Sequence, residues 1–300
     1  MAKSYSPLDD LELRASHLAR VGAFDVRRAL PQRGRRTVGA WCFADHMGPA
    51  DVSEESGLNI GPHPHTGLHT VTWLIEGQVL HRDGLGSEQV ITAGQLNLMT
   101  AGAGVAHAEE ATGHYRGRLE GVQLWVAQPE ATRHDAPSFT HVAELPRLDA
   151  GDAAVTVFLG SHADVASPAP IDSDLVGLDI DMRGHARLAL RRDFEYALVV
   201  VRGALEARGV LVTPGNLAVL PRDLDEVELT SRVPTRAILI GGIPFDEPLF
   251  MWWNFVARSR DEVDGFRESW ARGDERFAPV RSALARIDAP APYWSPGAVT

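Results

Sequence analysis

The chain has 300 residues, 44% of them hydrophobic, and a formal net charge of −11 from 40 acidic and 29 basic side chains. That is enough apolar material for a sizeable core in one large or two medium domains, and the acidic balance argues against direct nucleic-acid binding or docking on an anionic membrane. A single cysteine, Cys42, excludes an internal disulfide and a cysteine-based zinc finger. With no apolar leader in Met1 to Asp10 and no run long enough to cross a bilayer, the expected location is cytoplasmic.

Residues 4–36 are mixed and are expected to wrap a later element. Arg27, Arg28, Arg33, Arg35 and Arg36 are read as a solvated loop, because no aromatic residues are interleaved among them. The first strand is predicted over 37–44, ending in Asp45-His46-Met47-Gly48-Pro49, where Gly-Pro marks a turn. Residues 51–61, rich in Ser, Glu, Asn and Gly, read as a loop that delivers the chain to His63-Pro64-His65.

From there short strands alternate with glycine turns. They cover 71–74, 79–82, 89–92, 96–100, the stretch holding His107 and Glu109, and 122–126, with turns at Gly77, Asp83-Gly84, Gly86, Gly94, Gly102 and Gly104. Such spacing indicates an antiparallel barrel or jelly roll rather than βαβ units. A second round repeats it, with strands at 195–201, 205–212 and 217–220 around Gly203 and Pro214-Gly215-Asn216. The expectation is therefore two barrels, 1–128 and 129–300, joined near Gln128-Pro129. Laying Gly77 on Gly203 puts His65 on Arg191 and His63 on Ala189, so the second copy lacks the histidine pair. One helix closes the chain: Ser259 caps it, Glu262 completes a capping box, Val263, Phe266 and Trp270 share a face, and Gly273 ends it.

Seven of the 12 histidines fall between His46 and His114. In a strand alternate side chains share a face, so His63 with His65, and His107 with Glu109, can all point into one space. Three imidazoles and a carboxylate suit a divalent transition ion better than magnesium or calcium. Four protein ligands on an octahedral ion leave two positions open. Glu109 is either a plain fourth ligand or a carboxylate that also takes a proton from an incoming hydroxyl. His69, roughly 13 Å along the strand from His65, is expected to lie behind the ligands rather than among them. His46 is read as a turn histidine near the site mouth, His81 and His114 as surface residues, and Trp73, Met99 and Trp125 as lining the barrel.

Taken together, several motifs resemble the pirin family of the cupin superfamily. They are His63-Pro64-His65-Thr66-Gly67, Thr70 to Gly77, His81-Arg82-Asp83, Met99-Thr100-Ala101-Gly102, His107-Ala108-Glu109, Gln123 to Val126, Glu247-Pro248 and Asn254-Phe255-Val256. The resemblance implies an all-β fold of two tandem cupin (jelly-roll) barrels with a short C-terminal helix, a metal, usually iron, in the first barrel and none in the second. The family's iron ligands correspond to His63, His65, His107 and Glu109. Bacterial pirins are associated with quercetin dioxygenase activity, in which dioxygen cleaves a flavonol with loss of carbon monoxide; animal pirins are redox-sensitive transcriptional coregulators. Two positions depart from the family pattern: His69 stands where glutamate is common, and Ala103 where arginine is common. The expected activity is an Fe(II)-dependent dioxygenase acting on a small aromatic, flavonol-like substrate. The competing reading is an iron-binding regulatory protein that docks on a protein partner.

Overall fold

The computed structural model describes residues 10–22, 24–53 and 57–295. Its architecture is almost entirely antiparallel sheet, with a single α-helix among the described residues. In the first half a seven-stranded sheet runs in the order 138–142, 96–100, 68–76, 117–127, 41–52, 24–30, 17–21. A four-stranded sheet in the order 60–65, 105–110, 78–83, 88–92 faces it and completes the barrel. The second half, with one strand from the start of the chain, forms a ten-stranded sheet that curls around its own core, built on the long paired strands Leu175–Ala189 and Glu226–Gly242.

The two barrels pack broadside. Val71, Trp73, Leu98, Val122 and Leu124 of the first meet Phe158, Val199, Leu217, Ile238 and Ile240 of the second in one dry layer. This corrects the expected place of Trp73. It lies on the outer face of its strand, stacked on Phe158 at 5.2 Å, whereas its neighbours Thr72 and Leu74 point inward. A sheet buried on both faces shows no hydrophobic alternation, and so its sequence does not say which face is which.

Other predicted elements shift for local reasons. The strand Trp41–Val52 continues through Gly48-Pro49 instead of turning there. A bulge opposite Leu119 and Gly121 absorbs the irregularity, and a Cβ at Gly48 would sit 2.3 Å from the Leu119 carbonyl oxygen. The stretch 205–212 is a hairpin, Leu205–Ala207 with Val210–Val212, turning on Arg208-Gly209, both at positive φ. Residues 12–36 contain three strands. Glu12–Ala15 joins the sheet of the second barrel, which is the expected wrapping, while His17–Val21 and Phe24–Leu30 extend the first. Arg27 and Arg28 therefore lie on a strand and not on a solvated loop, because each pairs with a residue of Trp41–Val52.

The helix Arg260–Arg272 forms as its sequence predicts. Ser259 accepts from the Glu262 N–H, and Gly273 closes the last turn at φ 66°. The Glu262 carboxylate passes the cap nitrogen and accepts from the Arg258 N–H, one residue earlier. Val263, Phe266 and Trp270 pack on Phe255 and Ala106, behind the histidine strand Val105–Glu110. No helix among the described residues is long and apolar enough to cross a membrane.

Candidate metal centre

Three adjacent strands build the site. Val105–Glu110 pairs with Ile60–His65 on one side, with His107 opposite His63. On the other it pairs with Gln78–Asp83, with His107 opposite Asp83 and Glu109 opposite His81. Directly opposed residues share a face, so the pleat sends His63, His65, His81, Asp83, His107 and Glu109 inward together. All six are buried.

Each candidate ligand ring is held by its other nitrogen. His63 donates from Nδ1 to the Gly61 carbonyl at 2.9 Å, and His65 from Nδ1 to the Asn254 carbonyl at 3.2 Å. The Nδ1 of His107 lies 3.4 Å from Nδ1 of His81, whose Nε2 lies 3.1 Å from Oδ2 of Asp83. A carboxylate only accepts, so a His81 ring with one proton carries it on Nε2 and accepts at Nδ1 from His107. All three candidate imidazoles then present an unprotonated Nε2 to the interior. Their donor atoms lie within 4.8 Å of one another, and the Nε2 atoms of His65 and His107 face each other at 3.1 Å. Two lone pairs at that distance repel unless a cation sits between them. Burial also pushes the His63 pKa down to about 4 and those of His65 and His107 well below the ordinary value. Neutral imidazole is the form that binds metal, and three such donors fit a divalent transition ion.

Glu109 lines the same cavity, but its carboxylate lies outside the histidine cluster. Its Oε1 accepts from the Thr72 hydroxyl at 3.2 Å. Burial raises its pKa, against the opposing pull of His81 and the Thr72 bond.

The cluster sits in a cavity of about 360 Å³. One wall is the Phe43–Trp125 stack, with ring centres 4.0 Å apart and planes 14° from parallel. Arg28 lies over the Phe43 ring at 4.5 Å and grips buried Asp45 with two bonds of 2.8 and 2.7 Å. Part of the rim, Trp253, Asn254 and Ile287, comes from the far end of the chain. That segment is tied down by the Thr66–Phe255 bridge and by the Ile287 N–H on the Pro62 carbonyl at 2.9 Å. Gly61 lets it pass, since a Cβ there would lie 2.0 Å from the Ala285 carbonyl oxygen. A larger groove of about 760 Å³ beside the helix Arg260–Arg272 contains none of the histidines.

The remaining histidines divide clearly. His114 is exposed, as expected. His81 is not a surface residue; its ring is buried between His107 and Phe139, which stacks on it at 4.4 Å. The alternation of Val79, His81 and Asp83 carried that signal, since an inward valine places both polar residues inward too. His46 is buried mid-strand and bonded to Glu120 at 3.2 Å, not set in a turn. Both nitrogens of His69 are taken, by Thr100 at 2.9 Å and Asp172 at 2.8 Å. Trp125 and Met99 lie within the first barrel's core, as expected. Ala103 does not line the metal cavity; its carbonyl accepts from Arg276 at 2.6 Å.

Family and structure comparisons agree with this fold. The family model Pirin matches residues 23–126, and the Pirin C-terminal cupin domain matches residues 175–278. A protein of Pseudomonas aeruginosa named "Putative quercetin 2,3-dioxygenase PA1205" is 42% identical over 276 residues, covering 91% of this chain and 87% of the relative. A crystal structure of quercetin 2,3-dioxygenase from Acinetobacter baumannii is similar at a TM-score of 0.91 and 37% identity, covering 97% of each chain. The bacterial pirin YhhW of Escherichia coli, solved in complex with nickel(II), shares the fold at a TM-score of 0.63 and 18% identity, covering 79% of this chain and 100% of that one. With both cupin halves matched in order and a relative at this identity spanning nearly the full length, the chain belongs to the pirin family.

Proposed function

We propose that this pirin is an iron-dependent dioxygenase of flavonol-type aromatic substrates. The observation that carries the reading is the convergence of three imidazole nitrogens in a cavity walled by the Phe43–Trp125 stack. His63, His65, His107 and Glu109 would hold the ion, which fits a donor set of three nitrogens and one oxygen. When bound, Fe(II) would activate a substrate oxygen and dioxygen.

The protein's own groups do the rest. Phe43 and Trp125 offer a flat apolar face on which the flavonol rings stack, and they keep water from the reacting carbons. Glu109 would accept the substrate hydroxyl proton on Oε2 once that oxygen leaves the ion, while Thr72 holds Oε1. Names carried by relatives in Pseudomonas aeruginosa and Acinetobacter baumannii support the same substrate class.

The test is dioxygen-dependent loss of flavonol absorbance by iron-loaded protein of measured metal content, with an anaerobic control. Full iron occupancy without any such loss would overturn the proposal.

A further inference from the structure

Asp83 stands two contacts away from the metal-facing nitrogens. We propose that it is the positioning residue which, through His81, keeps Nε2 of His107 free of a proton and open to a metal. This rests on reading the histidine cluster as a metal centre, not on flavonol turnover.

With one proton on each imidazole, the geometry fixes the direction of every bond in the chain. Oδ1 of Asp83 accepts from the backbone N–H of Leu85 and of Ser87, each at 2.9 Å, so the carboxylate cannot rotate. Oδ2 accepts from Nε2 of His81 at 3.1 Å, and Nδ1 of His81 accepts from Nδ1 of His107 at 3.4 Å. Phe139 lies flat on the His81 ring, with planes 13° from parallel, and opposes a ring flip. Acceptors therefore lie at the Asp83 end, and the proton of His107 is drawn to Nδ1.

An isosteric change reverses the chain. In Asp83→Asn the amide oxygen stays on the two backbone donors, which leaves the NH₂ group facing Nε2 of His81. His81 must then accept there and donate from Nδ1. His107 in turn accepts at Nδ1 and carries its proton on Nε2, aimed at the metal position. Removing the middle member has a smaller effect: with His81→Phe, His107 is free to adopt either tautomer.

The experiment titrates metal-free protein with cobalt(II), reading its ligand-field absorption, and records the ¹⁵N shifts of His107 before metal is added. Asp83→Asn is expected to weaken cobalt binding by about 100-fold, the upper range for partners of metal ligands, and His81→Phe by about tenfold or less. The double variant His81→Phe/Asp83→Asn should match His81→Phe, so a second mutation restores what the first removed. A merely structural role for Asp83 would not produce that rescue. In the wild type, His107 should be the Nδ1–H tautomer. The proposal is overturned if Asp83→Asn binds as tightly as His81→Phe, if the double variant is no tighter than Asp83→Asn, or if wild-type His107 carries its proton on Nε2. Should the wild type bind no cobalt, the metal-centre reading fails separately, and the tautomer measurement still decides the relay.

Discussion

Trp73 of the first barrel donates its indole N–H to Oδ2 of Asp179 in the second, at 2.8 Å, with both side chains buried. Asp179 is also gripped by the half-buried Arg236, so the bond joins an ion pair to the opposite barrel. Trp73→Phe keeps an aromatic ring over Phe158 but removes the donor and some volume. We expect a loss of about 2 kcal/mol in denaturant unfolding, with metal content unchanged. An unaltered midpoint would show that the bond contributes nothing net.

A second tie between the halves predicts acid sensitivity. Burial alone would raise the Asp172 pKa, but bonds from His69, Thr132 and Gln128 outweigh it and hold the group at about 2. A carboxyl lowered on folding contributes stability that is fully present above its unfolded pKa and is lost as pH falls through the folded one. The stability gap between wild type and Asp172→Asn should therefore be constant above about pH 5 and close between about pH 4 and pH 2. Chemical denaturation at several pH values measures it.

Glu109 carries the opposite sign in metal-free protein. Its pKa is raised by burial, so its charged form opposes folding above the unfolded pKa and not below it. Metal-free Glu109→Gln should be more stable than wild type at pH 8, with the difference vanishing towards pH 4. With metal added the order should reverse, because the variant loses a charged ligand. Turnover should fall by at least about 100-fold if the carboxylate takes the substrate proton.

A metal that binds only the folded state stabilises it by mass action, about 2.7 kcal/mol at a free concentration one hundred times its Kd. Thermal unfolding of the wild type should shift upward on adding Fe(II) or Co(II) and return on adding chelator. His63→Ala and His65→Ala should lose that shift. Keeping it would place the ion elsewhere.

The aromatic wall should act on substrate and not on metal. Trp125→Ala removes the face on which Phe43 stacks. It should raise KM for a flavonol by about tenfold or more, since stacking of this kind contributes about 1 kcal/mol beyond buried area. Metal content per chain should stay at the wild-type value.

Much of the first barrel is legible because strand alternation is a local rule. His63, His65 and His107 needed only parity and glycine turns to be brought together, and the helix Arg260–Arg272 followed from Ser259, its apolar face and Gly273. Parity alone puts Glu109 on the same inner face, yet it does not place the carboxylate, which Thr72 holds apart from the histidine cluster.

What stayed hidden depends on contacts far apart in sequence. Trp73 and Trp125 lie on strands that pair directly, yet one ring faces the partner barrel and the other the metal cavity. His81 looked like a turn residue until Phe139 and His107 enclosed it, and the rim residues Trp253 and Ile287 reach the cavity from the far end of the chain. By itself the sequence determined which residues alternate and where the glycine turns between the histidine strands fall, because those depend on neighbours two or three positions away. Only tertiary packing decided which face of each strand looks into the barrel and what covers it, because that choice is made by apolar surfaces meeting across the whole chain.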